Sequence, residues 1–368
     1  MTSLSDHTQV PPIPIECKNL WKLYGTNAEK ALGNVQSEKL DKKACLERFD
    51  CVIGVADASF SVNEGEIFCI MGLSGSGKST LIRHINRLIE PTAGQVLIDG
   101  IDIRKLSSVE MRQLRSEKIG MVFQNMALLP HRSVRENAGF GLEVKKIDKK
   151  TRLDAADRAL DIVQLTGWGD RYPAELSGGM QQRVGLARAL ASDPGILLMD
   201  EPFSALDPLI RRQLQDQFLE LSRDLKKTTL FITHDLDEAI RLGNRIAIMK
   251  DGVLVQIGTP EDIVTQPADD YVADFVAGIS RLNLVYAASV MYSLEKYRSV
   301  NPDENLEAYP TATEEDNLDH LAELMVEGDF NKVVIVEDSK TIGVVTRRSL
   351  LSGIQGKSME TLVPSKVS

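Results

Sequence analysis

Eight consecutive residues, Gly72-Leu73-Ser74-Gly75-Ser76-Gly77-Lys78-Ser79, have the types and spacing needed to hold a polyphosphate. A phosphate chain packs several negative charges together, so a backbone must come close to neutralise them. Glycines at 72, 75 and 77 permit that approach and let N–H groups turn inward. A helix opening near Lys78 adds the positive end of its dipole. Lys78 can reach the outer phosphates, the Ser79 hydroxyl suits Mg2+, and Thr80 is placed for a contact to an inner phosphate. The context agrees. Ile67–Met71 is a short apolar run that reads as a buried parallel strand, and 79–89 has helical spacing that stops before Pro91.

Three further positions sit where apolar runs end. Asp200 closes Ile196-Leu197-Leu198-Met199, which places it at the carboxyl edge of a sheet strand, where open parallel sheets bind ligands. Its expected task is to hold Mg2+, through water. Glu201 follows directly and is placed to polarise an attacking water. Gln124, after 119–123, could touch the metal and that water, or be surface filler. His234, after 230–233, could hold the γ-phosphate through a neutral ring nitrogen, or be a half-buried structural histidine. A further run, Leu176-Ser177-Gly178-Gly179-Met180-Gln181, lies about a hundred residues after the loop.

The elements that must position these groups alternate. Runs at 96–98, 119–123, 196–199, 230–233 and 246–249 read as strands. Those at 149–165, 180–191, 208–225 and 237–242 read as helices. Such alternation implies a parallel α/β sheet covered on both faces. Residues 124–178 hold mainly helices and read as a helical subdomain inserted in that sheet domain. Near the start, 15–24 and 52–62 read as strands, and the charged stretch between them as an inserted helical segment over 27–50. Residues 1–14, with three prolines, read as a flexible tail. From Arg281 the chain becomes acidic. Residues 300–368 carry 13 Asp/Glu against 6 Lys/Arg, and 318–326, 332–336, 342–345 and 348–352 outline a small βα unit.

Taken together, these residues resemble the ATPase subunits of ABC transporters over roughly 15–280. Phosphate loop, Gln124, 176–181, Asp200-Glu201, Ser204-Ala205-Leu206-Asp207 and His234 follow the family's order. The resemblance implies a P-loop NTPase core with ATP and Mg2+ as cofactors. It implies that two copies hydrolyse ATP between them. Residues 176–181 become the family's signature loop, and its Ser177, Gly178 and Gly179 would contact a γ-phosphate held by the opposite subunit. Residues 204–207, with Asp207, would lie across the dimer seam. Glu201 becomes the catalytic carboxylate, with His234 its partner, and Tyr24 the aromatic that stacks on adenine. More narrowly, Asn86-Arg87-Leu88-Ile89-Glu90-Pro91-Thr92, His234-Asp235-Leu236-Asp237-Glu238-Ala239 and the insertion after Tyr24 are similar to the glycine betaine/proline importers. Residues 310–355 are similar to one CBS repeat, within a regulatory region over 284–368, and 284–309 to a shortened copy.

The chain as a whole is consistent with that resemblance. Its 368 residues allow two or three domains, and the net charge of −10 without a dominant basic patch argues against nucleic acid. No stretch approaches the roughly 20 apolar residues of a membrane span. No secretion signal precedes the strands, so a cytoplasmic place is expected, at the face of a bacterial cell membrane. Cys17, Cys45, Cys51 and Cys69 show no metal-ligand spacing. The resemblance implies three partners: a second ATPase subunit, an integral membrane permease, and a periplasmic or extracellular solute-binding protein. The alternative, a non-transport ABC ATPase acting on DNA or ribosomes, would need a long coiled coil or a second cassette, and neither is in the sequence.

Overall fold

The structure, a computed structural model, describes residues 13–124, 127–338 and 340–356; the tail expected over 1–14 falls almost wholly outside them. The chain divides into two compact units, Met1–Ile257 and Gly258–Ser368.

In the first unit, strand β1 (Ile15–Tyr24) pairs antiparallel with β2 (Val52–Val62) and with β4 (Ala93–Ile98), which continues to the short β5 (Ile101–Asp102). Periodicity marks most of these strands but not that they form a sheet of their own. Their partners are set by register, which no local pattern encodes. The second sheet has the order β10 (Val253–Gly258), β9 (Arg245–Lys250), β3 (Ile67–Met71), β8 (Thr228–Thr233), β7 (Ile196–Asp200), β6 (Ile119–Val122). From β9 to β6 every pairing is parallel, as expected from the strand–helix alternation. All five residues of β3 and of β7 are buried, as central strands covered on both faces must be.

The core lies between the sheets. Val55, Phe60 and Val96 from the antiparallel sheet meet Phe68, Ile70, Leu198 and Ile232 from the parallel one, with Leu81, Ile82 and Ile85 of the helix Lys78–Ile85 among them. Phe60 and Phe68 stack with ring centroids 5.2 Å apart. Each fully buried side chain of this kind contributes roughly 1.5–3 kcal/mol. That burial fixes the C-terminal edge of β3, where the phosphate loop begins. The helix itself is shorter than its sequence pattern: it ends at Ile85, because Arg87 turns into the left-handed region.

The insertion folds as two helices, Ala28–Glu38 and Lys42–Phe49. They have a core of their own, Ala31, Val35 and Cys45 against Leu23, Cys51 and Ile53. Within 124–178 the helices Val134–Ala138, Phe140–Val144 and Lys149–Ile162 lead to the helix Gly178–Ala191.

The second unit begins with helices Pro260–Thr265 and Asp270–Val276. Its sheet runs Tyr292–Ser293, Lys340–Thr346, Lys332–Glu337, Thr311–Ala312. One face, with Val333, Ile335 and Val345, packs on the helices Leu318–Glu327 and Arg347–Gln355. The other, with Val334 and Val344, packs on Tyr292, Tyr297 and Leu306. Residues 284–309 thus supply an edge strand and half of a second core to this one sheet. Among the described residues they form no sheet of their own.

Candidate functional site

The turn after β3 is built so that only glycine fits. Gly72 (φ 152°), Gly75 (φ 77°) and Gly77 (φ 110°) all have positive φ. A Cβ on Gly72 would stand 2.1 Å from the Met249 carbonyl oxygen, and one on Gly77 would stand 2.2 Å from that of Gly54. Gly75 meets nothing within 4 Å and faces open space. The turn is locked from behind, where Gly252 N–H donates to the Ser76 carbonyl (2.8 Å). Ser76 is buried, whereas Leu73 and Ser74 are exposed at the rim. The helix Lys78–Ile85 starts at Gly77 without a side-chain cap, so its first N–H groups point into the loop. Lys78 is buried, and its Nζ donates to the carbonyls of Gly72 (2.7 Å) and Leu73 (3.0 Å). Burial pulls its pKa below the usual lysine range, against the pull of Glu201 and Asp200.

Behind the loop, Ser79 Oγ donates to Asp200 Oδ1 (3.0 Å). Asp200 is fully buried, its Oδ2 has no hydrogen-bond partner, and Arg83 Nη2 stands 3.8 Å from that atom. Desolvation raises its pKa, although the Ser79 bond and Arg83 oppose the shift. A hydroxyl beside a carboxylate with one open oxygen is a hard oxygen donor set.

Glu201 continues the β7 edge in the left-handed region (φ 50°), with its N–H on the Ile232 carbonyl (3.0 Å). Its carboxylate gathers two of the sequence-marked side chains: Gln124 Nε2 donates to Oε2 (3.2 Å), and His234 Nδ1 lies 3.3 Å from the same oxygen. Both Gln124 and His234 are exposed at their strand ends. Tyr24, at the end of β1, is 40% exposed, and its hydroxyl lies 3.3 Å from Thr80 Oγ1. Tyr24, Gly54, Gly77, Lys78, Ser79 and Thr80 line a cavity of about 280 Å³. Loop, Tyr24, Gln124, Asp200, Glu201 and His234 therefore form one connected site.

The other expected residues form a separate edge. Ser177 caps the helix Gly178–Ala191, its Oγ accepting from Met180 N (3.3 Å), and remains exposed. A Cβ on Gly178 would meet nothing within 4 Å, so no contact inside the chain demands a glycine there. Gly179 is closer, 3.2 Å from Leu206 Cδ2. Asp207 caps the helix Pro208–Leu225 by accepting from Ile210 N (3.1 Å) and is exposed.

Two residues escaped the sequence reading. Gln182 is buried; its Nε2 donates to the Glu201 carbonyl (3.0 Å), and its Oε1 accepts from Ala205 N (2.9 Å). It ties the helix behind Ser177 to the turn that carries Glu201. Beside Gln181 in a helix it had no pattern to mark it. Lys42, from the insertion, donates to the Gly75 carbonyl (3.0 Å) and lines the same cavity. The charged stretch around it hid it.

Comparison with known proteins identifies the family. Residues 55–204 match the family described as ABC transporter, and residues 299–356 match the CBS domain. The glycine betaine/proline betaine transport system ATP-binding protein ProV of Escherichia coli is 53% identical over 276 residues, 75% of this chain and 68% of that protein. The glycine betaine/carnitine transport ATP-binding protein GbuA of Listeria monocytogenes is 42% identical, over 94% of this chain and 98% of its own. The trimethylamine N-oxide transport system ATP-binding protein TmoW of Pelagibacter ubique is 45% identical, over 90% and 94%. Among solved structures, a dimeric post-hydrolysis state of the ATP-binding cassette MJ0796 bound to ADP and Pi aligns with a TM-score of 0.59. It is 32% identical and covers 67% of this chain and 98% of that one.

Proposed function

This chain belongs to the ABC transporter family as one of its ATP-binding ATPase subunits, and from that premise we propose that it powers uptake of a quaternary ammonium or related compatible solute. Betaine, choline, proline and trimethylamine N-oxide are the candidates. The names of ProV, GbuA and TmoW support that class. Among the described residues no helix is long and apolar enough to cross a membrane. The names of these relatives as ATP-binding proteins of transport systems support a pathway on a separate integral membrane permease, fed by a periplasmic or extracellular solute-binding protein. The subunit sits at the cytoplasmic face of the membrane.

The observation that carries the chemistry is the carboxylate of Glu201 shared by Gln124 and His234 beside the phosphate loop. Glu201 is the general base: it accepts a proton from the water that attacks the γ-phosphate. Gln124 orients that water, and His234 holds the carboxylate and meets the γ-phosphate. Lys78 and the N–H groups of residues 72–80 bind the outer phosphates, and Tyr24 stacks on the adenine. Ser79 and Asp200, with Gln124, would hold Mg2+, whose chemistry is to neutralise charge on the outer phosphates. The open Oδ2 of Asp200 beside the Ser79 hydroxyl fits such an ion.

Hydrolysis takes two copies. Exposed Ser177 and Gly178 present a hydroxyl and bare backbone to something outside the chain, and a γ-phosphate bound by the partner subunit fits them. Asp207 stands at the seam. The test is reconstitution with the neighbouring permease and solute-binding protein in vesicles, measuring labelled solute uptake across a panel of methylated amines. ATP-dependent accumulation of at least one is expected. A system whose uptake ignores ATP, or which accepts none of the panel, overturns the proposal.

A further inference from the structure

We propose that Lys42 is a nucleotide ligand: the inserted helix pair delivers its ammonium to the phosphate-loop cavity, where it binds a phosphate oxygen of ATP or ADP. The inference rests on the nucleotide site proposed above.

Three observations converge on it. Lys42 Nζ donates to the carbonyl of Gly75 (3.0 Å), a loop residue that otherwise faces open space. Lys42 and Lys78 are the charged side chains of the 280 Å³ cavity lining, which contains no acid, so that cavity complements a polyanion. The other partner of Lys42 is weak: Asp251 Oδ1 lies 3.5 Å away on a side chain that is 70% exposed. An exposed pair of this kind contributes about 0–1 kcal/mol. A phosphate oxygen offers a stronger charge-assisted bond, so the ammonium gains by exchanging partners.

The insertion is built to hold that position. Lys42 is the first residue of its helix, directly after Asp41, which caps the helix by accepting from Ala44 N (2.7 Å). Arg48 clasps Glu38 of the preceding helix, with Nη2–Oε1 at 3.1 Å. Ala31, Val35 and Cys45 pin both helices onto Leu23 and Ile53, which flank Tyr24 and Gly54 of the same cavity. A lysine on a loop would lose more rotamer and backbone freedom on binding than one on a fixed helix.

The competing role is an internal strut that joins the phosphate loop to the Asp251-Gly252 turn. Binding of MgATP and MgADP to the full chain by titration calorimetry, together with steady-state ATPase kinetics, separates the two. Lys42→Ala is expected to weaken both nucleotides by about tenfold, one charge-assisted bond after exposure is allowed for. KM rises in step while kcat holds, and Lys42→Arg recovers most of the affinity. Asp251→Asn removes the strut yet leaves the ammonium for the nucleotide, so affinity stays at or above that of the unaltered chain. Wild-type affinity in Lys42→Ala, or equal losses in Lys42→Ala and Asp251→Asn, overturns the proposal. An unaltered chain that binds no nucleotide would instead remove the reading on which it rests.

Discussion

At the scale of single residues, a carboxylate in the site that must take a proton contrasts with a buried ring outside it that resists one. Glu201→Gln keeps the hydrogen-bonding shape but cannot take a proton. We expect ATP binding to persist and turnover to fall by ~10²–10⁴, the range for a positioned acid–base group. Turnover close to wild type in a stopped assay would remove Glu201 from the mechanism. His84, on the helix after the phosphate loop, is the opposite case. It is fully buried, and Nδ1–H donates to the Ile89 carbonyl (2.7 Å) while Nε2 has no partner. Burial, chiefly, drives its pKa down to about 4 from the ordinary 6.5. Between those values the unfolded chain takes up a proton that the native ring refuses. Stability is therefore full above pH 6.5 and is lost as pH falls toward 4, by up to ~3 kcal/mol from this residue. His84→Gln should flatten that part of a urea-unfolding profile, whatever its pH-independent cost. An unchanged slope from pH 6.5 to 4.5 would assign the acid sensitivity elsewhere.

At the scale of elements, the phosphate loop divides into glycines required by crowding and one required by backbone angle alone. Gly77→Ala must push its methyl into the Gly54 carbonyl. Gly75→Ala meets no neighbour and carries only the left-handed strain, roughly 1–3 kcal/mol. We expect the first to abolish measurable ATP binding and the second to weaken it modestly; equal effects would mean that sterics do not shape the loop. Ser177→Arg should block hydrolysis while each subunit still binds ATP. Full-speed hydrolysis by that variant would dismiss a role for the Ser177 turn across the pair.

These elements were legible in the sequence to different depths. The loop, Asp200 and Glu201 could be read because local order dictates them: an apolar strand, a glycine turn, a helix. Without the family resemblance, Gln124 and His234 could be marked only as strand-end residues, and parallel pairing of β6, β7 and β8 is what brings both onto one carboxylate. Lys42 and Gln182 act across 33 and 19 positions, on Gly75 and on the Glu201 carbonyl, so no window of sequence contains their partners. The antiparallel sheet was hidden for the same reason, since Ile15 pairs with both Val62 and Ile98.

At the scale of the whole molecule, a catalytic unit is followed by an acidic one with a separate sheet and two small cores. Deleting residues 284–368 should spare basal ATP hydrolysis, because every residue placed in the site lies before Gly258. It should change the salt response of reconstituted transport, as acidic surface is screened over about a Debye length of ~8 Å at physiological ionic strength. Transport with an identical salt profile after deletion would discard a regulatory task for that region.

Gln182 couples the Ser177 turn to the backbone of Glu201 as though by a short lever. If two subunits face each other, a nucleotide reaching one Ser177 turn should be felt, through the Gln182–Glu201 carbonyl bond, at the base that activates the water. The expected outcome is that each half of the pair hydrolyses only once its neighbour is loaded. Cutting the lever with Gln182→Ala should leave two engines running out of step, seen as a Hill coefficient for ATP that drops toward one; a coefficient that does not move would show that no such linkage exists.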